Sequence, residues 1–392
     1  MARQEKSMLK TSLRNTGKGA WKVALTGLLM ATTVTAYAQR GAISPAAHAG
    51  QEPINNLPNP YETQRDFGTL PDGRRWGSVS AVNVDIDGVH VWAGDRCGTN
   101  SCATSGVDPI VKLDPSGRVV ASLGAGQIIW PHGMDVDADG NIWVADTRLA
   151  NERELQANPA ARNHGSSVLK FSPEGELLMV IGTPGEMGDP PTHLTEPNDV
   201  LVAPNGRIYI GETHSAQFQD ESGPNSKSRI TIWEADGTYV GSFGEWGQED
   251  GQLRAPHSLA MDSQGRLFVA DRGNNRIQIF SQDGEHIDTW YQFSRNSGIF
   301  IDKSNDWLYA IDSESDPNYN PGGWRKGLRV GSAKTGEVWY FVPEHVSPFR
   351  SSGMGGVGSM GEGVTVDSAG NVYAGEVGPI QGITRFVPRL IP

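Results

Sequence analysis

The chain has 392 residues, a formal net charge of −12, 49 glycines and 2 cysteines. Two cysteines exclude a disulfide-built scaffold, and an acidic chain without basic clusters excludes a nucleic-acid partner. Eleven tryptophans and a steady supply of Val, Ile and Leu exclude a disordered chain, while the many glycines point to tight turns between short strands.

The first 38 residues have the form of a secretory leader. Arg3, Lys6, Lys10, Arg14, Lys18 and Lys22 form a basic start, and an apolar run follows from Val23 to Val34. Ala36-Tyr37-Ala38 then supplies small residues at a cleavage point. The alternative is an uncleaved anchor, but the apolar run is short for a span. A periplasmic or secreted chain with no membrane span after cleavage is expected. In that oxidising setting Cys97 and Cys102 are expected to form a disulfide, with a redox pair as the alternative. Residues 39–60 are rich in Ala, Pro and Asn and predict a flexible lead-in; residues 61–392 follow as one domain.

From there one unit recurs. PHGMDVDADGNIWVAD starts at Pro131, PNDVLVAPNGRIYIGE at Pro197 and PHSLAMDSQGRLFVAD at Pro256. Weaker copies end at Asp95, Asp312 and Glu376. Each alternates apolar and polar residues, breaks at a D-x-x-G-like turn and alternates again, which is a strand, a turn and a strand. A second such pair follows, as in RITIWEADGTYVGSFG at 229–244. Six units of four antiparallel strands predict an all-β, six-bladed β-propeller. The last unit runs out after a third strand near Ile383–Val387, so an N-terminal strand from 61–77 is expected to close it. The repeat form resembles the NHL-repeat type of propeller over roughly residues 75–387.

Topology then locates the site. The starts of the first strands share a rim with the loops between second and third strands. The long insertions, 96–107, 147–167, 213–228 and 313–326, fall in those loops, where binding is expected. One side chain per unit should face the axis there: Ser80, His132, Asn198, His257, Ser297 and Glu362. Alternate units thus offer His132, His257 and Glu362, a donor set suited to Zn²⁺ with one open position. Equally, a polar residue at such a strand start can simply bond the neighbouring crossover. The acidic residues ending each second strand (Asp146, Glu212, Asp271, Asp312, Glu376) recur in every unit, so they are expected to make strand-end hydrogen bonds and not to catalyse.

The stretches PHGMDVDADGNIWVAD and PHSLAMDSQGRLFVADRGNNRIQIF resemble peptidyl-α-hydroxyglycine α-amidating lyase. That resemblance implies a zinc held by three histidines, a structural Ca²⁺ in the channel, and cleavage of a peptidyl-α-hydroxyglycine to an amide and glyoxylate. It carries zinc-ligand roles to His132 and His257, and places Glu362 where the third histidine falls. Met360 matches a family Met, Arg96 and Arg272 match family arginines, and His214 falls at or near the catalytic Tyr. His214 is then the candidate base, and the arginines would grip a substrate carboxylate. Gly363 replaces the family's calcium-binding Asp. The expectation is a metal-dependent carbon–nitrogen lyase acting as a monomer on a small-molecule or peptide substrate. Two alternatives stand beside it. One is a non-catalytic propeller binding a peptide, glycan or protein through rim residues such as Tyr319, Trp324 and Phe349. The other is a hydrolase such as a lactonase, with a channel Ca²⁺ near Asn198, Asp199 and Glu362.

Overall fold

A computed structural model describes residues 51–218, 227–317, 319–344, 360–378 and 380–389. The leader expected at 1–38 and Phe349 lie outside these residues. Among the described residues no helix is long and apolar enough to cross a membrane.

Six four-stranded antiparallel sheets follow one another. Blade one is β2 (Val79–Val84), β3 (Val91–Asp95), β4 (Ile110–Leu113) and β5 (Val119–Leu123). Blade two is β6 (Pro131–Val136), β7 (Ile142–Asp146), β8 (Ser167–Phe171) and β9 (Leu177–Ile181). Blade three is β10 (Pro197–Val202), β11 (Ile208–Glu212), β12 (Arg229–Trp233) and β13 (Tyr239–Phe243). Blade four is β14 (Pro256–Met261), β15 (Leu267–Asp271), β16 (Arg276–Phe280) and β17 (His286–Trp290). Blade five is β18 (Gly298–Asp302), β19 (Trp307–Asp312), β20 (Gly327–Ser332) and β21 (Val338–Pro343). Blade six joins β22 (Gly363–Val366), β23 (Val372–Glu376) and β24 (Gly382–Pro388) to β1 (Tyr61–Phe67). Tyr61 pairs with Pro388 and Thr63 with Phe386, so the expected N-terminal strand completes the last sheet. Each innermost strand packs on the next, ending with β22 against β2, and the ring closes.

The core lies between sheets. Ala81 and Trp92 of blade one pack with Met134, Val144 and Phe171 of blade two, and Leu201 and Tyr209 of blade three with Leu259, Leu267 and Phe280 of blade four. Five of the six second strands are buried along their whole length, as in IWVAD and LFVAD, and the sixth all but Trp307. Burying a Leu- or Phe-sized side chain contributes about 1.5–3 kcal/mol, so these seams hold the ring together.

Innermost strands have a ladder partner on one side alone, and their remaining amides need other acceptors. Side chains of the neighbouring blade supply them. Asp135 Oδ2 accepts from Val202 N at 2.7 Å, and Asp199 Oδ2 from Leu259 N at 2.8 Å. Ser258 Oγ accepts from Ile299 N, and Thr365 Oγ1 from Val84 N. Asn83 Nδ2 donates to Asp135 Oδ1 at 3.1 Å. Gly133 fits this crowding: a Cβ there would meet Asp199 Oδ1 at 2.2 Å.

The strand-end acids also cap backbone. Asp146 Oδ1 accepts from Trp130 N at 2.6 Å, Asp271 Oδ1 from Arg254 N at 2.6 Å, and Glu212 Oε2 from Thr195 N at 2.9 Å. The 147–167 insertion carries a short helix, α1 (Glu152–Ala157), started by an Asn151–Glu154 capping box. The later part of the lead-in is pinned along blade five. Arg329 donates to Ile54 O and Asn55 Oδ1, and Phe341 N donates to Pro58 O.

Candidate metal centre

At the rim, four of the six strand starts each bond a backbone carbonyl at the start of the next blade's inner strand. Ser80 Oγ donates to Pro131 O at 3.0 Å, and Asn198 Nδ2 to Pro256 O at 2.9 Å. His132 Nδ1 lies 2.7 Å from Asn198 O, and His257 Nδ1 lies 2.6 Å from Ser297 O. A carbonyl can only accept, so both Nδ1 atoms carry the proton and both Nε2 atoms keep a lone pair. His132 Nε2 is buried with no hydrogen-bond partner. His257 Nε2 meets the Arg272 guanidinium. Ser297 also shares a hydrogen bond with Ser313.

A third imidazole joins them. After β11 the chain makes a 3-10 turn, His214–Phe218, that turns the His214 ring inward. Ring centroids are 4.5 Å apart for His132–His257, 4.9 Å for His132–His214 and 5.4 Å for His214–His257. Their ligand nitrogens all lie within 4.8 Å of one another. Three rings aimed at one tetrahedral ion, at metal–nitrogen distances of about 2.0–2.1 Å, would have centroids about 5 Å apart. The orphaned His132 nitrogen and this spacing fit a metal such as zinc.

Electrostatics keep the imidazoles neutral. Burial, and then the charge of Arg96, holds His132 down to about 3. Burial with the Arg272 charge holds His257 well below its usual value; burial, the adjoining His132 imidazole and the Arg272 charge do so for His214. Neutral imidazole is the form that ligates metal.

Two arginines flank the rings. Arg96 is 1% exposed and lies 3.5 Å over the Trp130 ring. It donates to Pro131 O, Asn100 Oδ1 and Ser80 Oγ, all neutral acceptors. Burial lowers it to about 9, with Glu362 pulling the other way. Arg272, also 1% exposed, pairs with Glu314 and lies 3.3 Å from Glu362 Oε1. Burial would lower Arg272, but Glu314 and Glu362 outweigh it and raise it. Glu314 Oε2 also accepts from Arg295 at 3.0 Å. Burial opposes its charge, yet Arg272 and Arg295 hold Glu314 down to about 2.

Glu362, expected among the ligands, lines the axial cavity with His132 and His257 and is an ion-pair partner of Arg272. Among the described residues the grouped metal-ligand atoms are those of the three histidines. Met360 is buried in the seam between blades five and six. Gly363 leaves no room for an acidic side chain, since a Cβ would meet Ser80 O at 2.5 Å. Asp199, considered above for an oxygen cage, caps backbone amides instead. Trp324 is buried with Arg329 over its ring and is not a rim contact. Cys97 and Cys102 are joined in a disulfide within the Arg96 loop. Trp130 and Glu314 were not singled out in the sequence. The one signal for Trp130 is an aromatic just before Pro-His; Glu314 has none beyond lying in a long rim loop.

An axial cavity of about 110 Å³ runs below the rings, lined by His132, His257, Asp135, Asp199, Lys303 and Glu362. A rim cleft of about 330 Å³ adjoins at Glu362, with Ser78, Asn100, Glu314 and Gln381.

With this geometry in view, known proteins place the chain. The NHL repeat model matches residues 253–280, which lie in blade four. The chain is thus a six-bladed β-propeller carrying an NHL repeat, with clustered imidazoles at its axis. It is similar to amidating enzymes. It is 32% identical over 234 residues to "Peptidyl-glycine alpha-amidating monooxygenase B" of Xenopus laevis, covering 54% of this chain and 24% of that protein. It is 25% identical over 239 residues to "Probable peptidyl-alpha-hydroxyglycine alpha-amidating lyase pgal-1" of Caenorhabditis elegans, covering 56% and 61%. It is also 30% identical over 201 residues to "NHL repeat-containing protein 3" of Homo sapiens, covering 49% and 55%. The match spans about a quarter of the monooxygenase and less than two thirds of the other two.

Proposed function

We propose that this protein is a metal-dependent carbon–nitrogen lyase that splits a carboxylate-bearing, α-hydroxyglycine-like substrate into an amide and glyoxylate. The observation that carries this reading is the convergence of imidazoles on one point, with the His132 Nε2 lone pair unsatisfied, beside two buried arginines. Similarity to amidating enzymes supports the reaction class. His132 and His257 would hold the metal. Bound there, a zinc ion would supply Lewis acidity toward a substrate oxygen.

The protein's own groups do the rest. Arg96 contacts no carboxylate among the described residues, so its charge is open to an incoming one. A bidentate carboxylate contact there orients the substrate carbon toward the imidazoles. The axial cavity is small, so the peptide part of a substrate belongs in the rim cleft. In the reaction the hydroxyl proton leaves, a carbonyl forms and the carbon–nitrogen bond breaks. The amide nitrogen takes up one proton, so no other reactant is consumed. The disulfide fits work in an oxidising compartment, in line with export.

The test uses protein prepared without chelator or histidine tag, incubated with an N-acyl-α-hydroxyglycine. Glyoxylate release should depend on bound metal and vanish in His132→Ala. A chain that holds no metal and releases no glyoxylate would sink the proposal.

A further inference from the structure

We infer that the third ligand of this metal is His214, from blade three, and that Glu362 stays outside the ligand set and orients Arg272. This rests on the metal reading above and redistributes the roles within it. The ligands then come from three consecutive blades instead of alternate ones.

Two observations carry it. First, the His214 ring is packed against both other imidazoles and meets the Trp130 edge at 5.5 Å. Trp130 also stacks on His132, with centroids 5.4 Å apart, so one indole braces two of the three ligands. Second, Glu362 already has a partner. Its Oε1 faces Arg272 Nη1, whose other contact is the His257 Nε2 lone pair. The guanidinium thus holds a donor where a cation would bind His257, and Glu362 and Glu314 grip it from two sides. Moving Glu362 onto the metal would strip Arg272 of one of these anions while it stays buried, which is costly.

The exchange changes the chemistry. Two histidines and a carboxylate would leave a zinc site with one net positive charge, whereas three neutral imidazoles leave two. The higher charge of a three-histidine site would make a substrate hydroxyl beside it more acidic, favouring loss of its proton near neutral pH.

Cobalt serves as the probe, because its absorption reports its ligands. Full-length parent, His214→Gln and Glu362→Gln are titrated with Co²⁺. His214→Gln should weaken cobalt binding by more than the roughly 10–100-fold typical of losing an outer partner, and Glu362→Gln by no more than that. Thermal unfolding checks that both variants fold. A gain of signal guards against a merely damaged variant. His214→Cys should create a near-ultraviolet thiolate-to-cobalt charge-transfer band, and Glu362→Cys should not. The reverse pattern, with Glu362→Gln losing cobalt and Glu362→Cys giving the band, overturns this assignment but leaves the lyase reading standing. A parent that binds no cobalt overturns both.

Discussion

Arg385 Nη2 donates to Gln64 Oε1 at 2.7 Å across 321 residues of sequence, tying β24 to β1. Tyr61 and Phe67 of the same strand are buried, in the seams toward blades five and one. Deleting residues 51–67 should therefore open blade six. Removing an aromatic from a core costs about 3–5 kcal/mol. For a chain of this size, the loss of both predicts a fall in Tm of about 10 °C or more, or aggregation. Calorimetry of the truncated chain checks it; an unchanged Tm would show that the closure contributes nothing.

Glu314 joins Arg272 to Arg295, and no other described carboxylate touches both. Glu314→Gln should leave two buried guanidiniums under-compensated. Breaking a buried pair costs about 3–5 kcal/mol. Urea unfolding should show that loss. Glyoxylate release should fall by more than a stability change explains, because Arg272 loses its position. Retained activity in a folded Glu314→Gln protein would remove Glu314 from the site.

The axial carboxyls set a pH dependence. Burial pushes Asp135 up to about 6 and Asp199 up to about 7. Both folded values lie above the usual Asp value, so the folded state holds more protons between about pH 4 and 7. These groups favour folding as pH falls through that window and lose that contribution as pH rises through it. From pH 8 to pH 5 the parent should gain about 1–3 kcal/mol relative to Asp135→Asn or Asp199→Asn. Urea curves at the two pH values measure this. A pH-independent difference would mean both carboxyls titrate normally.

The Cys97–Cys102 bridge closes a small loop that begins one residue after Arg96. Chain-entropy reasoning gives a loop this short about 2 kcal/mol. Cys97→Ser with Cys102→Ser should cost about that much. It should also raise KM more than it lowers kcat, since the Arg96 loop positions substrate and not the breaking bond.

The fold was legible because the pattern repeats: alternation, a D-x-x-G turn and alternation again, six times, leaves few other architectures. His132 and His257 were legible for the same reason, as departures at one repeat position. The choice between a structural and a chemical role dissolves in the geometry. An imidazole has two nitrogens; Nδ1 bonds a backbone carbonyl of the next blade, as the Ser80 and Asn198 side chains do one residue earlier, and Nε2 remains free of that task. His214 was expected on this rim, but as a base and not as a ligand candidate. Its ring turns inward through the local 3-10 turn, which no repeat copy announces. Glu362 was expected to face the metal, and in the structure its carboxylate lies 3.3 Å from Arg272 Nη1. Its ion pair with Arg272 spans two blades, and sequence spacing within one blade carries no trace of it.

The inner ring also bears on how such a chain can change its size. Asn83 reaches Asp135, Asp135 reaches Val202, Asp199 reaches Leu259, and Thr365 accepts from Val84. From one of these joints to the next the cap changes in residue type or in position along its strand, so each blade is keyed to one particular successor. A duplicated or deleted repeat would bring together two inner strands whose caps do not match, stranding buried amides at the new joint. Copy number is therefore locked by a handful of axial side chains, although the repeats themselves look interchangeable.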